Sequence, residues 1–159
     1  MKSKNVITKE QLLDYPNRIL VAGSRYYSDY AFFSEAIKDL VAATRHEGPI
    51  AFITGVAATG ADAMIVKWCE ENNYPYAEFP ADWDNLKVPN VSVKVNTRGK
   101  EYNSLAGFNR NNEMAEHLTE AVFFWDKKSS GTKDMINRVK EKKLHFLIVI
   151  INSSKNQTL

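Results

Sequence analysis

The stretch that most constrains the fold is residues 50–62, IAFITGVAATGAD. It opens with a four-residue apolar run of the kind that forms a strand buried on both faces. Thr54 and Gly55 end this run, and from Ala61 onward the apolar residues recur at helical spacing. A strand, a glycine-bearing turn and a helix together point backbone N–H groups at an anion. The segment therefore predicts either a phosphate or nucleotide cradle or an ordinary tight strand-to-helix turn.

The same alternation of strand and helix extends along most of the chain. Further apolar runs that predict strands lie at 18–22, 76–79, 121–125 and 145–151. Helical spacing of apolar residues separates most of these runs. The order predicts an α/β three-layer sandwich, in which a mainly parallel sheet of about five strands carries helices on both faces. In such a sheet the ligand lies beyond the carboxyl ends of the strands.

Three segments depart from this rhythm. Residues 1–17 predict an N-terminal leader with one short helix, and residues 152–159 predict a flexible tail. Between them we expect a single domain over residues 18–151. Within it, residues 86–104 contain valines that alternate with polar residues. The stretch 87–101 holds four basic residues and one acidic residue. This period-2 pattern predicts an inserted hairpin or arm.

Composition narrows the class of protein. A chain of 159 residues with 44% hydrophobic residues suits one domain with a full core. The formal charge of +2 argues against sequence-independent nucleic-acid binding, which needs a strongly basic face. A single cysteine, Cys69, indicates a reducing, cytoplasmic setting. The longest apolar run, residues 146–151, is too short to span a membrane, so no membrane association is expected.

Four loops should converge at the carboxyl edge of the sheet, and they carry residues suited to phosphate or sugar. Glycines permit close backbone approach, hydroxyl and amide groups donate hydrogen bonds, and arginine binds an anion through two parallel hydrogen bonds. The candidate ligand-binding positions in these loops are Gly23, Ser24, Arg25, Gly55, Gly60, Asp62, Arg110, Asn111, Gly131 and Thr132. No catalytic residue is assigned, and scattered histidines with one cysteine argue against a zinc site.

Three of these positions have structural alternatives, and a fourth, Arg110, is placed against local preference. Arg25 could equally form a surface ion pair, and Asp62 suits a structural role in the first turn of a helix or a contact with a ribose hydroxyl. Arg110 is expected near the start of a helix at about Asn109, where its charge opposes the helix dipole, and a bound anion would remove that conflict. Thr132 is expected to cap its own helix or to contact phosphate.

Aromatic and acidic residues near the same loops form a second group. Asp82 and Asp84 could hold Mg²⁺ through water together with a nucleotide, or they form a solvated loop in which Trp83 covers the edge of the core. Trp125 and Asp126 end a strand, and Trp125 is either a core residue or a surface on which a base stacks.

The order of the motifs resembles the YspA, cpYpsA-related family of the SLOG superfamily, whose Rossmann-like members are common in bacteria and phages. The motifs are RILVAGSR at 18–25, GAD at 60–62, FPADWD at 79–84, AGFNRNNEM at 106–114 and FWDKKSSGTKDMI at 124–136. The resemblance implies a nucleotide or nucleotide-derived ligand at the candidate positions above and along the whole 55–62 loop. Thr59 stands in that loop where family members usually carry a basic residue.

The resemblance also bears on catalysis. The superfamily contains LOG phosphoribohydrolases, whose signature resembles GGxGTxxE with a catalytic glutamate. Met135 occupies that glutamate position here, and a methionine cannot ionise. The sequence therefore favours a protein without this activity, unless Asp134 takes the role from one position away.

Three functions stay open at this stage. The first is a sensor or sequestering protein for a nucleotide-like small molecule, for which an ADP-ribose derivative is one candidate. The second is a hydrolase acting at an N-glycosidic or phosphate bond through an aspartate. The third is a nucleic-acid accessory protein, by analogy with the DprA relatives of the superfamily. A homodimer or higher homo-oligomer is also expected, with the 86–104 arm as a lid or an oligomer contact.

Overall fold

A computed structural model describes residues 3–43 and 45–152 of the chain. The elements run β1 (Val6–Ile7), α1 (Lys9–Leu12), β2 (Asn17–Gly23), α2 (Tyr30–Ala42), β3 (Ile50–Thr54), α3 (Gly60–Asn72), β4 (Tyr76–Glu78), β5 (Val93–Val95), β6 (Glu101–Asn103), α4 (Ala106–His117), β7 (Glu120–Trp125), α5 (Ser130–Glu141) and β8 (His145–Ile150). Residues 153–159 of the predicted tail lie outside the described residues.

The main sheet has six strands in the order β1-β4-β3-β2-β7-β8, and each neighbouring pair is parallel. The predicted α/β architecture is therefore confirmed. The order changes direction on either side of β2, since the chain continues to β3 on one side and reaches β7 on the other. This topological switch point is where ligands bind in open parallel sheets.

Alternating residues of the central strands pack into two separate hydrophobic cores, one on each face of the main sheet. Ile19 and Val21 of β2 pack under α2 and α3, whereas Leu20 packs under α1, α4 and α5. The helical faces predicted from apolar spacing are buried, including Ile65 of α3 and Met135 of α5. Because both faces of the central strands are covered, β2, β3 and β7 are continuous apolar runs, whereas the apolar edge strand β8 is largely exposed.

The prediction of about five strands missed one. Val6 and Ile7 form β1 and pair with Tyr76 and Ala77 at the edge of the sheet. The predicted N-terminal leader thus contributes a strand to the main sheet, and Leu12 of α1 is fully buried. Two residues are too few to show a period of two, so the pattern gave no signal for this strand.

The predicted hairpin within 86–104 is confirmed as β5 and β6, which form an antiparallel two-stranded sheet of their own. Its turn is closed by Asn96, whose side chain accepts the backbone N–H groups of Arg98 and Lys100. Val93 and Val95 are 47% and 61% exposed, so the hairpin adds little to the core. Among the described residues, no helix is long and apolar enough to cross a bilayer.

Candidate functional site

A cleft of about 700 Å³ opens at the switch point, beyond the carboxyl ends of β2 and β7. It is lined by residues from the loops after β2 and β7, from the start of α5, from α4 and from the hairpin connection. They are Ser24, Arg25, Tyr26, Trp83, Ser104, Gly107, Phe108, Arg110, Asn111, Asp126, Lys128, Ser129, Ser130 and Gly131. A recess of about 90 Å³ shares several of these residues and adds Gly23, Asp62 and Thr132.

The loop after β2 places Ser24, which is held by hydrogen bonds, beside the exposed Arg25. The Ser24 N–H donates to the Phe124 carbonyl at 3.0 Å, and its Oγ donates to Asp126 Oδ2 at 3.4 Å. Gly23 is required here because an added Cβ would lie 2.3 Å from the Phe124 carbonyl oxygen. Among the described residues, the exposed Arg25 side chain has no hydrogen-bond or ion-pair partner, so its guanidinium is available to an anion in the cleft.

Arg110 and Asp62 flank Gly55 at the floor of the site. Arg110 Nη1 donates to the Gly55 carbonyl and, at 3.3 Å, to the Phe79 carbonyl. Asp62 Oδ2 accepts the Ala57 N–H at 3.2 Å. A Cβ on Gly55 would lie 2.7 Å from Arg110 Nη1 and 2.9 Å from Asp62 Oδ2, so only glycine leaves room for both charges.

The backbone between these two charged residues is strained. Val56 has φ 64°, a left-handed conformation that is unfavourable for a β-branched residue. Its N–H donates to Thr54 Oγ1 at 3.2 Å. The carbonyl before it is held by Arg110 and the N–H after it by Asp62, so both functional candidates clamp the strained residue.

The position of Arg110 in its helix corrects a prediction. Helix α4 begins at Ala106 rather than near Asn109, so Arg110 lies in the second turn and the argument from its clash with the helix dipole was wrong. The cause is the N-cap residue Leu105, whose side chain cannot make a capping bond and gives no sequence signal. The arginine still reaches the cleft, since it leaves the helix toward the ends of β3 and β4.

Burial and hydrogen bonding shift the pKa values of the two carboxylates of the site, Asp62 and Asp126, in opposite directions. Burial raises the pKa of Asp62, although the Ala57 N–H, Arg110 and Arg25 act to lower it. For Asp126, burial also acts to raise the pKa, but hydrogen bonds from the Ser129 and Lys128 N–H groups and from Ser24 hold it below its usual range. Burial lowers the pKa of Arg110, against the opposing effect of Asp62.

The start of α5 forms the wall opposite Arg25. Ser129 is the N-cap, and its Oγ accepts the Thr132 N–H at 3.4 Å. Thr132 is buried with its hydroxyl 3.0 Å from Ser129 Oγ, so the expectation that Thr132 caps this helix was wrong by three positions. Asn111 donates to the Gly131 carbonyl at 3.3 Å and fixes α4 against this helix start. Ser130 and Gly131, the first two residues of α5, line the cleft beside Lys128.

Three exposed aromatic side chains line the cleft. Tyr26 is 72% exposed, Trp83 is 42% exposed and Phe108 is 41% exposed. Sequence reasoning missed Tyr26 and Phe108 and favoured a core-covering role for Trp83. Phe108 gave no separate signal, because it lies seven residues before the buried Ala115 and therefore on the same face of α4.

The structure brings together most of the predicted ligand-binding positions. Those that line the cleft or its recess are Gly23, Ser24, Arg25, Asp62, Arg110, Asn111, Gly131, Thr132, Trp83 and Asp126. Gly60, at φ 76°, lets the loop after β3 lie close to the loop after β2. A Cβ at this position would lie 2.2 Å from the Ser24 carbonyl oxygen.

Other predicted positions lie outside the cleft lining. Thr59 is exposed and makes no side-chain capping bond at the start of α3. Asp84 pairs with Lys100 at 3.0 Å, and Asp82 lines a small separate pocket. Trp125 Nε1 donates to the Ser129 carbonyl at 3.2 Å, and the ring packs against the core.

Within the described ranges, no three His, Cys, Asp or Glu side chains are grouped so that they could hold a metal ion. Mg²⁺ carried by the phosphates of a nucleotide stays a prediction.

The parallel sheet, its helices on both faces and the cleft at the switch point define a Rossmann-like α/β protein. Residues 17–85 match the model of the YspA, cpYpsA-related SLOG family, which confirms the predicted resemblance over that part of the chain. That segment contains the loops after β2 and β3 and ends just beyond Trp83.

A solved structure of DNA processing protein A (DprA) from Streptococcus pneumoniae superimposes on the chain with a TM-score of 0.62. The sequences are 17% identical over an alignment that covers 89% of this chain and 52% of the DprA chain. The chain thus spans about half the length of that protein, and the likeness concerns the fold. No match was found among curated proteins.

Proposed function

We propose that the protein binds a nucleotide or nucleotide-derived small molecule in the cleft, as a sensor or sequestering protein. The observation that carries the proposal is the meeting of an unpartnered arginine, a helix start and three exposed aromatic rings in one cleft. A phosphate matches the first two features and a base matches the third. An ADP-ribose derivative has both groups and is one candidate.

The anion-binding part rests on the Arg25 and Lys128 side chains and on the first two residues of α5, because the N–H groups of Lys128 and Ser129 already donate to Asp126. Arg25 is exposed without a partner among the described residues, and Lys128 and the first turn of α5 lie across the same cleft. A guanidinium and backbone N–H groups bind a phosphate through charge-assisted hydrogen bonds. Asp62 lies in the adjoining recess, where it would repel a phosphate, so a sugar hydroxyl suits that recess better.

The size of the cleft supports a small molecule. About 700 Å³ lies within the range of roughly 300–1,000 Å³ that is typical of small-molecule sites. The site also lies at the strand-order switch point, where parallel sheets bind nucleotides.

Matched arginine substitutions test this proposal. Arg25→Ala removes the free guanidinium, whereas Arg98→Ala removes an equally exposed arginine from the hairpin turn. We expect a nucleotide to be released by denaturation of the purified wild type and of Arg98→Ala and to be detected by mass spectrometry. Arg25→Ala should retain much less of it, and calorimetric titration with ADP-ribose should show the same order of affinities.

Equal retention in wild type and Arg25→Ala would contradict the proposed site. The nucleic-acid accessory function would be favoured by a different result. In that case only Arg98→Ala would lose the bound nucleotide, and the wild type would bind single-stranded nucleic acid with an affinity that falls steeply with salt.

A hydrolase is the second candidate function, and one observation favours it. Asp62 borders the recess, and burial raises the pKa of its carboxyl, which is the direction of shift that suits a general acid at an N-glycosidic bond. Against it, Met135 is buried at the glutamate position of LOG enzymes. The neighbouring Asp134 already accepts hydrogen bonds from Asn111 and Arg138, so it is not free to replace that glutamate. Chromatography of AMP and ADP-ribose after incubation with wild type and Asp62→Asn decides between binding and turnover.

A further inference from the structure

The β5–β6 hairpin is tied to the domain through the backbone of Trp83. The Asn103 N–H at the end of β6 donates to the Trp83 carbonyl at 2.7 Å. The Asn103 side chain is buried, accepts the N–H groups of Ser92 and Leu105 at 3.1 Å each, and donates to the Asn90 carbonyl at 3.2 Å. One asparagine thus joins both ends of the hairpin, the start of α4 and the residue that carries the indole.

The hairpin also borders the indole ring itself. Tyr102 of β6 meets Trp83 edge to face, with ring centroids 6.4 Å apart. On the α4 side, a Cβ added to Gly107 would lie 3.3 Å from Trp83 Cη2, so the absence of a side chain lets the indole lie close to the helix. The ring lies between Tyr102 and Gly107, and Trp83 is still 42% exposed and lines the cleft.

A large aromatic ring that is fixed on two sides and open to a cleft is preorganised for stacking. In this site the open side lies in the same cleft as Arg25 and the start of α5. The hairpin buries little apolar surface of its own, so contribution to the core does not account for its attachment.

We propose that Trp83 is the surface on which the base of the bound ligand stacks, and that the β5–β6 hairpin is the element that positions it. This inference rests on the proposed function and narrows the ligand to a nucleotide with its base, as opposed to a sugar phosphate. Trp83 contacts the ligand, whereas Asn103 and Tyr102 act through Trp83.

Two probes that share a phosphate and differ by a base test the inference. Adenosine 5′-monophosphate and ribose 5-phosphate are titrated against wild type, Trp83→Ala, Trp83→Phe and the exposed hairpin control Val95→Ala. Wild type should bind the nucleotide at least about tenfold more tightly than the sugar phosphate, as expected for one stacked base. Trp83→Ala should lose most of this ratio, whereas Trp83→Phe should keep part of it and Val95→Ala all of it.

Asn103→Ala tests the positioning role. It should weaken binding of the nucleotide and leave binding of ribose 5-phosphate unchanged, a split that general destabilisation would not produce. Tryptophan fluorescence gives a second readout, because quenching by the nucleotide should be present in wild type and absent in Trp83→Phe.

The outcomes separate the two proposals. If wild type binds both probes equally and Arg25→Ala binds neither, the cleft binds anions and the stacking role of Trp83 is wrong. If the nucleotide is preferred equally in wild type and Trp83→Ala, the base lies elsewhere and the inference is again overturned. If wild type binds neither probe and carries no nucleotide, the proposed function itself fails.

Discussion

The amino and carboxyl edges of the main sheet each carry an exposed arginine, and the two arginines differ in their partners. At the amino edge, the buried Glu120 accepts a hydrogen bond from Arg45 Nη2 at 2.7 Å, and its other oxygen contacts His46 Nε2. Arg18 beside it donates to the His117 and Tyr15 carbonyls. At the carboxyl edge, the exposed Arg25 has no hydrogen-bond or ion-pair partner among the described residues, although its charge acts on Asp62.

This difference separates stability from ligand binding. A buried charge that already has its partners contributes to a fixed structure, and removal of one partner is costly. A cation without a partner contributes little to folding and keeps its hydrogen-bonding capacity for a ligand. Changes at the amino edge should therefore alter stability alone, whereas changes at the carboxyl edge should alter binding more than stability.

The largest expected effect is at the amino edge. Glu120→Gln leaves Arg45 and His46 without their carboxylate, so the free energy of unfolding should fall by about 2–3 kcal/mol. The half-exposed Arg45 keeps this below the full cost of breaking a buried pair. Urea denaturation measures the change, and calorimetry should show unaltered affinity for ADP-ribose. An unchanged denaturation midpoint would mean that the cluster does not stabilise the fold.

A smaller effect is expected from strain at the carboxyl edge. Val56→Gly relieves a left-handed valine and should raise the free energy of unfolding by about 1 kcal/mol, after allowance for the entropy that glycine adds to the unfolded chain. The melting temperature should rise by roughly 2–4 °C. Lys143→Gly is the matched control, because Lys143 has φ 57° just before β8 at the amino edge and is not β-branched. A larger gain from the control would contradict the view that strain is concentrated at the cleft.

The smallest effect is a change in pH dependence at Asp62. Burial raises its folded-state pKa above the unfolded value, so the native state holds this proton more tightly. This contribution favours the fold at acid pH and is lost as pH rises through the window between the unfolded pKa and the higher folded one. Asp62→Asn removes the titration and should gain stability relative to wild type between pH 4 and pH 7. Urea denaturation at both pH values measures the difference, and parallel pH profiles would show that Asp62 ionises as it does in water.

Apolar spacing predicted the central part of the fold but not its short or edge-bound parts. The runs that form β2, β3 and β7 are continuous because they are buried on both faces, and they were predicted from the sequence. Strand β1 has two residues and depends on Tyr76 and Ala77 for its hydrogen bonds, so its own sequence carries too little information. The start of α4 was misplaced because Leu105 carries no capping group.

The part of the candidate site that could be predicted consists of polar residues that directly follow strands. Ser24, Arg25 and Asp126 directly follow strands, so topology alone brings them together. Phe108 and Trp83 reach the cleft through the packing of α4 and the hairpin, which depends on contacts distant in sequence. The amino-edge cluster gave no signal at all, since Glu120 lies 74 and 75 residues from its two partners.

The attachment of the hairpin has a consequence for protein engineering. Its strands pair only with each other, and Asn103 anchors its base, so the tip can be exchanged without altering the main sheet. The cleft wall that carries Trp83 is thus separable from the wall formed by Arg25 and α5. Libraries that vary residues 94–101 while keeping Trp83 and Asn103 should therefore leave both base preference and phosphate binding unchanged, because residues 94–101 do not line the cleft.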